Sequence, residues 1–323
     1  NYLYTAKITK ETMLANFLEK SKPINFIIYL GLFFCFFFIA ATLNISGEEL
    51  TPYDVFAGVS YFFLFLFIFF FYRFLVSKNK LTSGNSYSFF LFTLALIVFI
   101  SKLFDFKLLT LLLIYLFFLR KIYSLSSPKK VIQKLFDSGL WLGILFILEP
   151  FSLLFSILIF TAILLHQKIT IHTLITPVIG FASPLISYFA YLFWTNTSKE
   201  FTQLFYFDVI NNTSIYAKDY TIWVFGVLFF LTTFSIFLKS PKVLSVNNSF
   251  KKNWILLIIN LILTTIFALT INEENGSEII FLLAPSSIII ANGFEVIQKK
   301  VIKNILFGLL LIGTIVTFFL ATI

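Results

Sequence analysis

The stretch INFIIYLGLFFCFFFIAATL, residues 24–43, contains no charged residue and has no polar face. A run of about 20 apolar residues matches a bilayer core about 30 Å thick, because an α-helix rises about 1.5 Å per residue. Comparable runs recur at 55–71, 224–238 and 305–323. The pattern predicts helices that cross a membrane rather than amphipathic helices that cover a soluble core.

The composition excludes a water-soluble fold. Apolar residues make up 59% of the chain and charged residues 12%, whereas soluble domains carry about 25% charged residues. The single cysteine, Cys35, excludes a disulfide framework and a cysteine metal cluster. The net charge of +9 resides in short segments between apolar runs, where membrane topology explains it, so we expect no nucleic-acid partner.

The apolar runs predict an all-α fold, a polytopic transmembrane helical bundle with about eleven spans. The spans are expected near 24–43, 54–76, 87–101, 108–119, 135–148, 151–165, 172–194, 221–238, 254–271, 279–298 and 304–322. We expect residues 1–23 to form a cytoplasmic amphipathic leader and 24–323 a single transmembrane domain. Because Met13 is the only methionine, residues 1–12 need not belong to the native protein.

The distribution of charge predicts a cytoplasmic N-terminus and an outer C-terminus. With this topology, only four of the 24 basic residues fall outside, whereas eleven of the 15 acidic residues do. The outer basic residues are Lys102, Lys107, Lys199 and Lys218. Cytoplasmic segments of membrane proteins are enriched in Lys and Arg, which favours this orientation.

Residues 135–165 could form one long helix kinked at Glu149-Pro150 or a hairpin of two short helices. A single span would reverse all later segments and change the inside-to-outside split of basic residues from 20:4 to 14:10, so we predict a hairpin. A second short hairpin is expected near 87–119. Short helices at membrane depth need cover from protein or a water-filled cavity, which indicates a polar vestibule on the outer side.

Acidic residues at the outer side are the candidate catalytic groups, because ionisable groups near membrane depth are costly and often functional. We select Glu49, Asp54 and Glu149. They could act as a general base or bind a divalent cation through oxygen ligands. The alternative is that outer loops simply tolerate acidic residues.

A second set of outer residues could bind a substrate. This candidate substrate-binding set is Glu48, Lys102, Asp105, Lys107 and Lys218. Its basic members could hold a phosphate through charge-assisted hydrogen bonds. A local salt bridge explains Asp105 equally well, because it lies between Lys102 and Lys107 in a tight turn.

Three stretches carry a resemblance to a family of flavobacterial inner-membrane proteins of unknown function. They are MLANFLEKSKPINF at 13–26, RKIYSLSSPKK at 120–130 and LFDSGLWLGILFILEPFSLLFSILIFTAILLH at 135–166. The resemblance covers most of residues 13–323. It implies a multi-pass protein of the bacterial inner (cytoplasmic) membrane, and it implies no catalytic residue.

The layout of the chain also loosely resembles the membrane glycosyltransferases that use polyprenyl-phosphate-linked sugars, whose catalytic acids lie in the first outer loop. Glu48, Glu49 and Asp54 fall at the corresponding place. The first outer loop of those enzymes is usually long, whereas residues 44–53 number only ten.

Three functions stay open at this point. The first is sugar transfer from a polyprenyl-phosphate-linked donor on the outer (periplasmic) side, with a divalent cation as a possible cofactor. The second is transport of a lipid or solute, and the third is a non-catalytic subunit or scaffold of an envelope complex. The expected partners are accordingly membrane lipid, a lipid-linked sugar and other membrane proteins.

Overall fold

A computed structural model describes residues 14–45, 52–167, 169–207, 221–245, 249–270 and 279–322. Within these ranges all regular structure is helical. The chain divides into two compact units. The first comprises Asn1–Phe104, Lys218–Ser245 and Leu283–Ile323, and the second comprises Asp105–Ala217 and Val246–Leu282. The single transmembrane domain expected from the sequence stays a prediction.

Thirteen α-helices lie within the described ranges. They are α1 Leu14–Leu18, α2 Pro23–Ile45, α3 Pro52–Lys78, α4 Tyr87–Val98, α5 Phe106–Ser124, α6 Val131–Leu148, α7 Ser156–His166, α8 Ile171–Trp194, α9 Lys199–Gln203, α10 Thr221–Leu244, α11 Ser249–Thr270, α12 Ile280–Val296 and α13 Lys300–Thr322. Two short 3₁₀ helices, Ile100–Lys102 and Pro150–Phe155, follow α4 and α6. Each of the eleven expected spans overlaps one of the longer helices.

Seven of these helices are long and apolar enough to cross a membrane. The qualifying segments are Pro23–Leu43, Asp54–Lys78, Val131–Leu148, Ile171–Trp194, Trp223–Leu244, Phe250–Thr270 and Lys300–Ala321. Tyr87–Val98, Pro150–His166 and Ile280–Val296 are apolar but shorter. The chain is therefore a multi-pass helical protein of a membrane, while the count of eleven spans and the orientation stay predictions.

The segment at Glu149 breaks the helical path. Glu149 is extended, with φ −148° and ψ 100°, because the residue before a proline is disfavoured in the helical region. The 3₁₀ helix Pro150–Phe155 and α7, which follow this break, both contact α6. That residues 135–165 form a hairpin of two membrane spans stays a prediction. The expected 87–119 pair differs, since α4 belongs to the first unit and α5, with 19 residues, is not short.

Helix α4 is central to the first unit. All of its residues except Ala95 are buried, and both α2 and α13 pack against it. Aromatic rings fill the contacts around it, including Tyr72 stacked on Phe92 with ring centroids 3.9 Å apart. A helix of 12 residues is too short to span a bilayer core alone. The neighbouring helices cover it, and such cover allows a short helix to lie at membrane depth.

Glycine allows α6 and α8 of the second unit to approach closely. A Cβ atom on Gly139 would clash with the Pro177 carbonyl oxygen, and one on Gly180 would clash with the Phe136 carbonyl oxygen. Small residues four apart, here Gly139 and Gly143, are a common basis for such contacts in membranes. A buried polar network adds to the unit: Tyr115 donates to Asn260 Oδ1 at 2.8 Å.

Candidate anion-binding cavity

The residues selected from the sequence divide between the two units. Glu48, Glu49 and Lys218 lie outside the described residues. Asp54, in the first turn of α3, and Lys102, at the end of a 3₁₀ helix, are half-buried in the first unit. Their catalytic and substrate-binding roles stay predictions.

Asp105, Lys107 and Glu149 lie together in the second unit. The Asp105 carboxylate caps α5 by accepting a hydrogen bond from the Lys107 backbone N–H at 2.8 Å. Lys107 Nζ lies 3.6 Å from Glu149 Oε2, and the Glu149 side chain is 14% exposed. Helix capping and an ion pair thus account for the positions of these groups, and a role for them in chemistry stays a prediction.

Hydrogen bonds connect several helix ends at one end of the first unit. We call this region, residues 17–22, 79–86, 239 and 295–300, the basic end. The Ser21 N–H donates to the Gly84 carbonyl at 3.2 Å, and the Ser86 N–H donates to the Leu18 carbonyl at 2.9 Å. Gly84 adopts φ +80°, which suits glycine because it lacks a Cβ atom. The loop between α3 and α4 is thereby fixed against the segment that precedes α2.

A buried asparagine, Asn25, adds hydrogen bonds to the same contact. The Asn25 amide nitrogen donates to the carbonyls of Phe17 and Lys20 at 2.9 and 2.8 Å, and to Ser86 Oγ at 3.4 Å. Asn25 is fully buried. These bonds satisfy the amide nitrogen of Asn25, and a buried amide nitrogen without partners would be costly.

Glu295 anchors the loop between α3 and α4. Its carboxylate accepts from the Ser83 N–H and Oγ, both at 2.8 Å, and from Asn85 Nδ2 at 2.6 Å. Lys239 Nζ lies 2.7 Å from it, and the two ionised side chains are only 12% and 9% exposed. This carboxylate therefore joins α10 and α12 to the loop that precedes α4.

The anchored loop forms one wall of a cavity of about 400 Å³. Three cationic residues line this cavity: Lys22, Arg73 and Lys80. Among the described residues, no carboxylate lines it and none forms an ion pair with these three cations. Serine residues supply further polar groups, including Ser21, Ser77 and Ser88. The cavity is thus positively charged and rich in hydrogen-bonding groups.

Arg73 and Tyr29 are the two cavity residues with the most distinctive environments. The Arg73 guanidinium lies over the Phe26 ring, 4.6 Å from its centroid, and the residue is half-buried. The Tyr29 hydroxyl is buried at the cavity wall with Ser86 as a polar neighbour. It makes no hydrogen bond of regular geometry to a described residue. Both groups could therefore serve a ligand in the cavity.

An apolar groove of about 410 Å³ lies in the same unit. Residues of α4, α10, α12 and α13 line it, among them Leu94, Leu231 and Leu310. Ser287 also lines the groove, and its Oγ is 2.6 Å from the hydroxyl of Tyr72, which lines the cationic cavity. The hydrogen bond between Tyr72 and Ser287 therefore connects a wall of the cavity to a wall of the groove.

Two charged residues inside apolar helices were signals of this site in the sequence, although their charge had been interpreted only in terms of membrane orientation. Lys22, Arg73 and Lys80 were counted among the basic residues of the cytoplasmic side, but Arg73 lies inside the apolar run of α3 rather than after it. Glu295 is the only acid within α12. A charge inside an apolar helix could have marked both residues as partners of other polar groups.

The apolar helices and the cationic cavity together define an integral membrane protein with a candidate site at one end of a helical unit. Its sequence matches a family model over residues 13–323, and the chain belongs to this family of unknown function, DUF6427. No curated protein and no solved structure matches the chain. The expected membership of a family of unknown function is confirmed; the flavobacterial source and the likeness to glycosyltransferases stay predictions.

Proposed function

We propose that this membrane protein binds a phosphate-bearing anion in the cationic cavity of the first unit. The observation that carries the proposal is the lining itself, with three cations and no carboxylate among the described residues. A phosphate offers several strong acceptor oxygens, and a guanidinium can donate to two of them at once. A volume of about 400 Å³ is within the usual range for a small-molecule site.

Membrane topology alone does not explain the cavity. Lys22 and Lys80 are exposed, as basic residues that only set the orientation would be. Arg73 is different, because it is half-buried and lies five residues before the end of α3, about 7 Å along the helix axis. A partly desolvated cation is stabilised by a nearby negative charge, and a bound anion would supply it.

The proposal is tested with a soluble anionic lipid analogue, dihexanoyl phosphatidic acid. The protein is purified in a neutral detergent, and its thermal midpoint is followed against ligand concentration, because a ligand that binds only the folded state raises stability by RT ln(1 + [L]/Kd). Dihexanoyl phosphatidylcholine, which has no net charge, is the ligand control and should bind far more weakly.

The Arg73→Gln variant should weaken the affinity for dihexanoyl phosphatidic acid about 10- to 100-fold, since a hydrogen bond to a charged group contributes about 1.5–3 kcal/mol. Lys242→Gln is the matched control, because Lys242 is exposed near the end of α10 and does not line the cavity. Equal affinities of the unchanged protein, Arg73→Gln and Lys242→Gln for dihexanoyl phosphatidic acid would refute the proposal.

Glycosyl transfer stays a separate prediction. Asp54 and Arg73 lie on the same helix, 19 positions apart, which places them about 28 Å from each other along its axis. The cavity and Asp54 therefore lie at opposite ends of α3. Binding of an anion at the basic end supports neither sugar transfer by Asp54 nor a role of that residue in holding the ligand.

A further inference from the structure

We infer that the bound anion is the headgroup of a lipid and that a hydrocarbon chain of the same lipid lies in the apolar groove. The inference rests on the proposed function, because it assigns the ligand of the cationic cavity to a chemical class. The alternative is a water-soluble phosphate compound, which would use the cavity alone.

The order of residues along α4 supports a ligand with a polar and an apolar part. Ser86 and Ser88, at its start, line the cavity, whereas Leu91, Leu94 and Val98, further along, line the groove. A single helix thus changes from polar to apolar lining as it leaves the basic end. A lipid presents the same order of groups from its headgroup to its chain.

The position of the groove matches the depth of a lipid chain. On α13, which starts at Lys300 in the basic end, the lining runs from Leu306 to Thr317. The groove therefore begins about 9 Å along the helix and extends for about 16 Å. One leaflet of a bilayer core is about 15 Å thick, which is half of about 30 Å.

The chemistry of the groove favours a flexible apolar chain. Its lining is composed of aliphatic residues and Trp223, with polar side chains contributed by Ser287, Thr314 and Thr317. Ser287 is bonded to Tyr72, and Thr314 and Thr317 donate to carbonyls of their own helix. These hydroxyls are already satisfied, so the groove offers a ligand mainly contact with apolar surface.

Two glycines of α13 provide a matched pair of substitutions. Gly313 lines the groove, whereas Gly308, one and a half turns earlier, does not. A Cβ atom added at either position would meet no described atom within 4 Å. Gly313→Leu should therefore fill the groove without disturbing the fold, and Gly308→Leu should place the same side chain elsewhere on the helix.

The experiment compares dipalmitoyl with dihexanoyl phosphatidic acid, both titrated in the same neutral detergent with the full chain. We expect the unchanged protein and Gly308→Leu to bind the dipalmitoyl lipid at least about tenfold more tightly. Gly313→Leu should lose this preference and keep its affinity for the dihexanoyl lipid, because the cavity is unaltered. Arg73→Gln should weaken the binding of both lipids.

The outcomes separate the two proposals. If Gly313→Leu keeps the preference for the longer chain, the groove does not hold the chain and the inference is wrong, although anion binding stands. If Arg73→Gln binds both lipids normally, the proposed function itself is wrong. If Gly313→Leu instead lowers the particle mass measured by mass photometry while Gly308→Leu does not, the groove is a contact between copies of this chain, which also overturns the inference.

Discussion

The ion pair between Lys239 and Glu295 should contribute strongly to the stability of the first unit. Its side chains are 12% and 9% exposed, and the Glu295 carboxylate also accepts three hydrogen bonds from Ser83 and Asn85. Removing one partner of a buried pair typically costs about 3–5 kcal/mol, because the remaining charge stays buried without compensation. Glu295→Gln should therefore destabilise the protein by about 3 kcal/mol.

A second ion pair provides the control. Lys300 Nζ lies 3.3 Å from Glu19 Oε2, but these side chains are 50% and 49% exposed. Exposed pairs contribute about 0–1 kcal/mol, so Lys300→Gln should have a small effect. Both variants are compared by unfolding in mixed micelles of a neutral detergent and increasing mole fractions of dodecyl sulfate, with helical circular dichroism as the signal.

The double variant Lys239→Met/Glu295→Gln refines the test. Replacing both charges removes the unpaired cation, so it should recover part of the stability lost in Glu295→Gln. Glu295→Gln should also weaken binding of phosphatidic acid, because the loop that carries Ser83 and Asn85 forms a cavity wall. A loss of stability no larger than that of Lys300→Gln would refute the reasoning about this buried pair.

Two further predictions concern the close helix contact of the second unit and the residue Asp54. Gly139→Leu should prevent normal folding, because any side chain there meets the Pro177 carbonyl, whereas Gly58→Leu should be tolerated because a Cβ atom at Gly58 has no described neighbour within 4 Å. Detergent-soluble yield and gel filtration distinguish the two variants, and a normal gel-filtration profile for Gly139→Leu would contradict the close helix contact. Asp54→Asn should leave the affinity for phosphatidic acid unchanged, because the residue lies about 28 Å from Arg73 along α3; a tenfold loss in the same titration would show that the cavity extends beyond the basic end.

The helices could be predicted from the sequence because apolar runs of sufficient length have few alternatives in a bilayer. Their ends were less predictable. Helix α5 was expected at 108–119 but extends from Phe106 to Ser124, because helical hydrogen bonding continues through the basic residues Arg120 and Lys121 until the turn at Leu125. An apolar run indicates the hydrophobic length of a helix and not its hydrogen-bonded limits.

The candidate site was less accessible to sequence reasoning. Glu295 bonds to Ser83 across 212 positions, and no local pattern indicates such a pairing. Arg73 was counted only among the basic residues that indicate orientation, because membrane orientation is a sufficient explanation for a basic residue considered alone. Only the three-dimensional arrangement shows that Lys22, Arg73 and Lys80 surround one cavity.

The most direct test of lipid binding is a cryo-electron microscopy map of the full chain in nanodiscs that contain dipalmitoyl phosphatidic acid and phosphatidylcholine. The account predicts a phosphate density within hydrogen-bond distance of the Arg73 guanidinium, continued by a chain density that passes along the groove to Gly313. A map in which the cavity holds no phosphate density, with ordered phosphatidic acid bound elsewhere on the protein, would contradict it.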